Sequence, residues 1–380
     1  MKITYLANVR IPTEKAHGVQ IMKMCQAFKK AGIEVELVVA KRVNPDYEKI
    51  DTFDYYKIPQ KFSIVRLWLL DLVNREMSLK GFSVIIQNTT FAISAFFYFL
   101  FKKTEMIYSR DEFSLFLLSF LKRNLVLELH AFPQSKFFLY KWLFKRVKKI
   151  IVINNKLKEL IIGLGVKPGK ILVAHDGVDL EQFDIEITKT EARKKLNLPL
   201  DKKIVIYAGL FDEWKGYLTL LQATKFFDNK EIKLVMIGGL EKQVEKLKKE
   251  YPQVIFLGYS PYTDLPINQK AADVLVIPNS GKMAISRYYT SPLKLFSYMV
   301  SQRPIIASDL PSLREILNEN NAILVESDNP KALAQGIEVA LKKADFSAKI
   351  AEKAYQDVQK YTWQKRAKNI LSFIKNDKLA

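Results

Sequence analysis

Cysteine is nearly missing: Cys25 is alone among 380 residues. A lone cysteine forms no internal disulfide and has no neighbours for a thiolate metal cluster, which suits a reducing compartment. Histidine is almost as scarce, with only His17, His130 and His175. No stretch is dominated by Pro, Ser or Gln, so no low-complexity or disordered segment is expected. No self-similarity recurs at a period of roughly 20 to 50 residues, which excludes solenoids and propellers. Met1 leads directly into an apolar, strand-like 2–7, without the charged start, apolar run and cleavage site of a secretory signal, so the cytosolic side is expected. The longest apolar run, 91–101, is interrupted only by Ser94. It falls short of the ~20 residues of a membrane-spanning helix and suits an interface or a core. No G-x-G-x-x-G follows the first strand, which argues against a dinucleotide-dependent dehydrogenase. Gly163, Gly165 and Gly169 have the wrong spacing and precede a strand.

With 380 residues and 49% hydrophobic content, the chain exceeds the ~250 residues at which a single core stops growing, so two domains are expected. Short apolar runs alternate with helix-like stretches from the start: 3–7, a helix over 18–31, then 34–40. The pattern predicts further strands at 84–87, 106–109, 125–130 and 150–153. A turn-rich passage at 174–179 and a charged stretch closing on 197–201 mark a junction. A second alternating series follows, with strands predicted at 204–207, 234–237, 254–257, 274–277, 305–307 and 322–325. The expected fold is α/β with two Rossmann-like domains, 1–185 and 186–360, and a helical tail, 361–380, packing back on the first.

In parallel α/β sheets, ligands sit outside the carboxyl ends of strands, where loops run into helix N-termini whose free N–H groups hold phosphate. Three loops fit. The first, 8–18, ends on Gly18, which either admits a ligand phosphate or is a plain helix-start glycine. The second, 209–216, reads Gly-Leu-Phe-Asp-Glu-Trp-Lys-Gly, and sets Lys215 before a helix, either to meet a diphosphate or simply to be solvated. In the third, 289–299 with 303–308, Ser291 is predicted to cap a helix whose first residue is Pro292. That leaves the N–H groups of Leu293 and Lys294 open to an anion. A capped helix without a ligand is the alternative.

Residues 291–299 together with 303–315 resemble the donor-binding signature of GT-B glycosyltransferases of family 4. Other matches occur in the family's order: Leu127-Glu-Leu-His130, Asp176-Gly-Val-Asp179 with Phe183, Trp214-Lys-Gly216, Ile237-Gly-Gly239 and Phe256-Leu-Gly258. The resemblance thus covers nearly the whole chain. It implies two Rossmann-like domains facing across a cleft, and transfer from a UDP- or GDP-sugar with retention of anomeric configuration. It also implies that neither metal nor cofactor is needed, the nucleotide-sugar being a substrate; the chain has no Asp-x-Asp triplet. By the same resemblance Lys215 neutralises the diphosphate, His130 contacts the transferred sugar, and Gly18 lets the first domain close. Gly209, Gly239, Tyr259, Ser291, Pro292, Leu293, Lys294 and Ser297 form the donor site. The Leu293 and Lys294 N–H groups supply about 3 kcal/mol per well-placed donor. His17 and His175 match nothing and read as structural. The chain departs from the family at three positions. Tyr289 and Ser297 stand where glutamates eight residues apart are usual, and Leu210 replaces a common phosphate-binding arginine. Ser297 is expected to hold the ribose more weakly by ~1–3 kcal/mol, or through water.

The formal charge of +20 and pI near 9.6 point to an anionic partner: nucleic acid, an anionic membrane or a phosphorylated substrate. Lys136, Lys141, Trp142, Lys145 and Arg146 lie in a stretch, 132–149, that mixes aromatic and basic residues with no acidic one. This composition suits a membrane surface. Similar mixtures occur at 66–70 and 96–103. A glycan or lipid-linked acceptor at the inner face of the membrane follows as an expectation, against the alternative of aromatics turned to the core and lysines to water. A nucleotide-sugar-binding protein without transfer activity, an epimerase or a scaffold, is the competing reading, with Ser297 as its hint. Nucleic acid is not expected as a partner: the charge is spread over both halves and no recognised binding motif occurs.

Overall fold

A computed structural model describes residues 1–42, 47–71, 80–131, 137–228 and 230–376. The chain forms two compact units, Met1–His175 with Trp363–Ala380, and Asp176–Thr362; the sequence reading had set the junction at 185/186.

In the first unit, β1 (Lys2–Ala7), β2 (Glu34–Ala40), β3 (Ser63–Leu67), β4 (Met106–Ser109), β5 (Leu125–Leu129), β6 (Lys149–Val152) and β7 (Ile171–Val173) form one parallel sheet. Its order is β3-β2-β1-β4-β5-β6-β7. The central strands are buried almost throughout, as expected when helices cover both faces, and this is why they read as unbroken apolar runs. Chain direction across the sheet reverses between β1 and β4, so the loops after these two strands diverge and leave a crevice.

One predicted strand is a helix. Residues 84–87, Val-Ile-Ile-Gln, lie inside the helix Lys80–Phe101. A short β-branched run does not distinguish a buried strand from a buried helix; its continuation over six turns does. The edge position in the sheet belongs instead to Ser63–Leu67, a half-exposed strand whose pattern is broken by Arg66. The same helix corrects the expectation that the apolar run is too short to span a bilayer. Over Ser83–Phe101 it holds 19 residues at mean hydropathy 1.6, and only 28% of that window is buried.

A buried carboxylate ties the first unit together. Glu128 on β5 is 1% exposed and accepts from Gln20 Nε2 at 2.8 Å, Arg366 Nη2 at 2.8 Å and the Tyr108 hydroxyl, and it pairs with His130 Nε2 at 2.6 Å. Gln20 comes from the helix Ala16–Lys30, Tyr108 from β4 and Arg366 from the last helix, Trp363–Lys375. Arg366 also donates to His175 O at 3.0 Å, just past β7. Burial alone would raise the Glu128 pKa, but Arg366, His130 and Arg110 outweigh it and hold the carboxyl well below its ordinary value. The ionised form is therefore the one the fold is built around.

In the second unit, β8 (Lys203–Ala208), β9 (Ile232–Ile237), β10 (Ile255–Gly258), β11 (Val274–Ile277), β12 (Ile305–Ser308) and β13 (Ile323–Val325) form a parallel sheet ordered β10-β9-β8-β11-β12-β13. Its direction reverses between β8 and β11. Leu295, Phe296 and Met299 pack on one face of the sheet, and Leu220, Leu221, Leu333 and Ile337 on the other.

Removing one partner of a buried pair strands the other. Arg366→Met is therefore expected to cost the first unit about 3–5 kcal/mol, and the double change Arg366→Met/Glu128→Gln to cost less than the single one. Urea denaturation of the three proteins checks both; equal losses in the single and the double variant would show that the pair is not the tie.

Candidate active site

The loops that leave the carboxyl ends of β8 and β11 meet at the reversal point of the second sheet. Gly209 follows β8 with φ +151°; a Cβ there would lie 3.0 Å from Lys294 Nζ and 3.3 Å from the Tyr207 hydroxyl. Glycine at this place leaves room for an ammonium group. The loop then makes a tight turn over Glu213–Lys215 and passes through Gly216, φ +69°, where a Cβ would strike Pro278 O at 1.8 Å. The loop after β8 thus rests directly on the loop after β11.

Lys215 is held at this turn by Asp212, Nζ to Oδ2 2.7 Å, and lies 5.1 Å from the Trp214 ring centre. Lys294 enters from the helix Leu293–Val300. Its Nζ is buried, has no hydrogen-bond partner, and sits 3.9 Å from the centre of the Tyr207 ring. Burial and then the charge of Lys215 hold its pKa well below the ordinary lysine value, with Asp212 acting the other way. The loops around it carry further buried polar atoms without a partner, Ser291 Oγ and both amide atoms of Asn279. Buried polar groups are nearly always paired in folded proteins, so such atoms beside an unpartnered amine mark a place made for a polar, anionic ligand.

The helix begins one residue later than expected. Pro292 is its N-cap and Leu293 its first residue, and Ser291 makes no capping bond. The reason is conformational: Pro292 has ψ 125°, an extended geometry that ends the loop. Leu293 and Lys294, in the first turn, keep N–H groups with no intrahelical acceptor. Ser297 is 2% exposed; its Oγ accepts from Gln269 Nε2 at 2.8 Å and donates to Lys294 O at 2.9 Å. That hydroxyl is spent inside the unit rather than presented to a ribose. Gly239 follows β9, and a Cβ on it would meet the Phe211 ring at 2.6 Å. Tyr259 follows β10 and is 46% exposed.

The first unit has its own cavity at its own reversal point, about 240 Å³ and lined by Asn8, His17, Asn88, Arg110, Asp111 and Glu112 among others. Asn8 donates to Asn88 at 2.9 Å while its own Oδ1 is buried without a partner. Arg110 Nη1 donates to Gln20 Oε1 at 2.7 Å, and Gln20 passes the link to Glu128. Burial, then Arg110 and Lys15, push the His17 pKa down to about 4, so its imidazole is neutral at physiological pH. Burial pushes Asp111 up to about 6 against its bond from Ser114. His17, read from sequence as structural, thus lines a polar cavity; Arg110 and Asp111 belong to none of the motifs read from the sequence, and Glu128 appears there only within Leu127-Glu-Leu-His130. His130, just past β5, is oriented by its bond to Glu128. At Gly18 the space of a Cβ is filled by the Tyr56 hydroxyl at 2.4 Å and Thr13 Cγ2 at 2.5 Å, so internal packing requires that glycine.

The basic, aromatic stretch forms the helix Phe137–Arg146; Lys136 lies outside the described residues. Trp142 donates to Ser119 Oγ at 2.9 Å and stacks on Phe120, with Arg146 4.7 Å from the Trp142 ring centre. Lys141 and Lys145 are exposed.

The family profile described as Glycosyl transferases group 1 matches residues 188–357, and that described as Glycosyltransferase Family 4 matches residues 17–182. This chain belongs to the group 1 glycosyltransferases of the GT-B fold. An uncharacterized glycosyltransferase of Methanocaldococcus jannaschii is 28% identical over 240 residues, which is 60% of this chain and 60% of that protein. The chain therefore matches under two thirds of that relative's length. Sucrose-phosphate synthase from Thermosynechococcus elongatus superposes with a TM-score of 0.77 at 20% identity, over 98% of this chain and 97% of its own. Anabaena HepE, solved in complex with UDP and glucose, superposes at 0.76 with 15% identity, over 99% and 100%. At such identities the likeness to these GT-B structures carries the fold.

An anion that pairs with Lys294 restores the pKa that burial depresses, so binding takes up a proton. The sign follows: diphosphate affinity is highest below the free-state pKa of Lys294 and falls as pH rises from there toward the pKa of the bound state. Calorimetry of diphosphate binding in buffers of different ionisation enthalpy is expected to show this uptake, and Lys294→Met to abolish it. The same substitution is expected to stabilise the free protein by about 1–3 kcal/mol, because it removes a buried amine that has no hydrogen-bond partner. A destabilised variant that still takes up the proton would contradict this account of Lys294.

Proposed function

We propose that the protein is a retaining, metal-independent glycosyltransferase that moves a sugar from a UDP- or GDP-sugar to a membrane-proximal glycan or lipid-linked acceptor. The observation that carries this reading is the buried, unpartnered Lys294 ammonium beside Lys215, on a helix terminus with free N–H groups. Negative charge collects on the diphosphate as its bond to the sugar breaks. Two lysines and the amides of Leu293 and Lys294 are already in position to receive that charge, in a site where they need little reorganisation. This is the task a divalent cation performs in other nucleotide-sugar chemistry. Neither cofactor nor nucleic acid has a part in the reading. Among structurally similar proteins, HepE has been solved with UDP-glucose, which favours a UDP-sugar as the first donor to try.

The acceptor is assigned to the first unit's cavity. Asn8, neutral His17, Arg110 and Asp111 supply the mixture of hydrogen-bond donors and acceptors that sugar hydroxyls require, and His130 is assigned to the transferred sugar. Membrane proximity is supported by an exposed apolar face. Ile85, Ile93, Phe97 and Phe101 of the helix Lys80–Phe101 are 56%, 43%, 61% and 87% exposed, and Trp68 and Leu70 are 59% and 43% exposed. The Leu70 N–H bonds to Thr90 Oγ1 of that helix, which joins the two sets of apolar residues. A patch of this kind, on a chain with charge +20, suits peripheral attachment to the anionic cytoplasmic leaflet.

The competing reading, donor binding without transfer, draws on Ser297, whose hydroxyl is bound to Gln269. Thermal-shift screening of UDP- and GDP-sugars, then product analysis by NMR, tests the proposal. Transfer or slow hydrolysis that retains the anomer and is unchanged by EDTA is expected. Lys215→Ala is expected to lower kcat by about 10²–10³-fold. Stabilisation by a nucleotide-sugar with neither transfer nor hydrolysis would favour the binding-only reading.

A further inference from the structure

Transfer from a nucleotide-sugar leaves a nucleoside diphosphate behind, and its terminal phosphate carries a charge that the sugar had masked. A cationic site that eases the breaking of the bond therefore holds the product more tightly than the donor, and product release limits the turnover of many enzymes. The second unit contains a carboxylate placed to loosen that hold.

Asp212 and Lys215 sit on one turn of the loop after β8. The Lys215 N–H donates to Asp212 O at 2.9 Å and the Gly216 N–H to Glu213 O at 2.9 Å. The turn is fastened to the loop after β11 on both flanks of Lys215: the Ser280 N–H donates to Trp214 O at 3.0 Å, and Gly216 lies so close to Pro278 O that no Cβ fits between them. On this frame Lys215 Nζ meets Asp212 Oδ2 at 2.7 Å, with the two side chains 16% and 46% exposed. Exposed ion pairs contribute little when two long side chains must be ordered to make them. Here the turn has already set the partners together, and the half-exposed carboxylate leaves the lysine open to a competing anion. Asp212 also acts on the second lysine of the site: burial and Lys215 depress the Lys294 pKa, and Asp212 opposes them.

We infer that Asp212 is a positioning residue for product release: its carboxylate exchanges with the terminal phosphate of the nucleoside diphosphate for the Lys215 ammonium. It gives way when the donor binds and takes the lysine back as the product leaves. The inference rests on the reading of Lys215 as a diphosphate ligand and extends it to the end of the reaction cycle. Glu213 provides the comparison. It is next in the chain and exposed, and it carries the same charge, but Lys215 is paired with Asp212 and not with it.

The test is calorimetry of UDP and of GDP binding to the full chain, with stopped-flow displacement of the bound nucleotide to give its release rate. Asp212→Asn is expected to bind the diphosphate at least roughly fivefold more tightly, through slower release. Asp212→Glu, which keeps the carboxylate, is expected to stay near the wild-type affinity, and Glu213→Gln to show no gain. In the Lys215→Ala background the gain from Asp212→Asn is expected to vanish, because Asp212 acts through that lysine. An affinity unchanged or weakened in Asp212→Asn overturns the inference. So does a gain that comes from faster association alone, that Glu213→Gln matches, or that persists without Lys215. A wild-type chain that binds neither nucleotide, or that binds them as well after Lys215→Ala, overturns the reading of the donor site itself and the inference with it.

Discussion

The first unit depends on one buried carboxylate. Glu128 is buried in a strand away from solvent, so the fold has to bring it partners. It draws Gln20 from the first helix, Tyr108 from the neighbouring strand, His130 from its own strand end and Arg366 from the last helix. Two residues assigned to sugar binding are fixed by the same demand. Arg110 is held through Gln20, and His130 is held by the carboxylate itself. A side chain that touches no proposed ligand therefore sets the geometry of several that do.

The second unit handles charge in the opposite way. Lys294 is buried beside another lysine, and the Tyr207 ring gives its ammonium partial compensation. Leaving an amine in this state costs stability that a ligand can return as binding energy. Gly209 keeps the space open, since any larger residue would press on the ammonium. Where Glu128 is surrounded until nothing more can approach it, Lys294 is left for something to approach.

Much of this was legible in the sequence, and the exceptions have physical causes. The loop from Gly209 to Gly216 and the helix start at Leu293 and Lys294 were legible because they follow a local pattern: strand, glycine, helix start. The Lys294 side chain was missed because a backbone pattern does not say where a long side chain ends. Arg110, Asp111 and His17 were missed because they belong to no local motif. They meet only because β1 and β4 are neighbours in the sheet while lying far apart in the chain. Ser297 was assigned to a ribose by its place in the motif, and Gln269, 28 residues away, claims it instead. The strand Ser63–Leu67 was hidden by its half-exposed edge position, and the helix Lys80–Phe101 was misread in part because its β-branched segment imitates a strand.

The last helix adds a consequence for how the protein is made. Trp363–Lys375 belongs to the first unit, although the whole of the second precedes it in the chain. Synthesis runs from the N-terminus, and domains generally fold as units while the ribosome is still at work. The second unit is contiguous and can close as soon as it emerges. The first cannot: until residue 366 leaves the exit tunnel, Glu128 has no Arg366 to face. The half of the protein translated first is the half completed last.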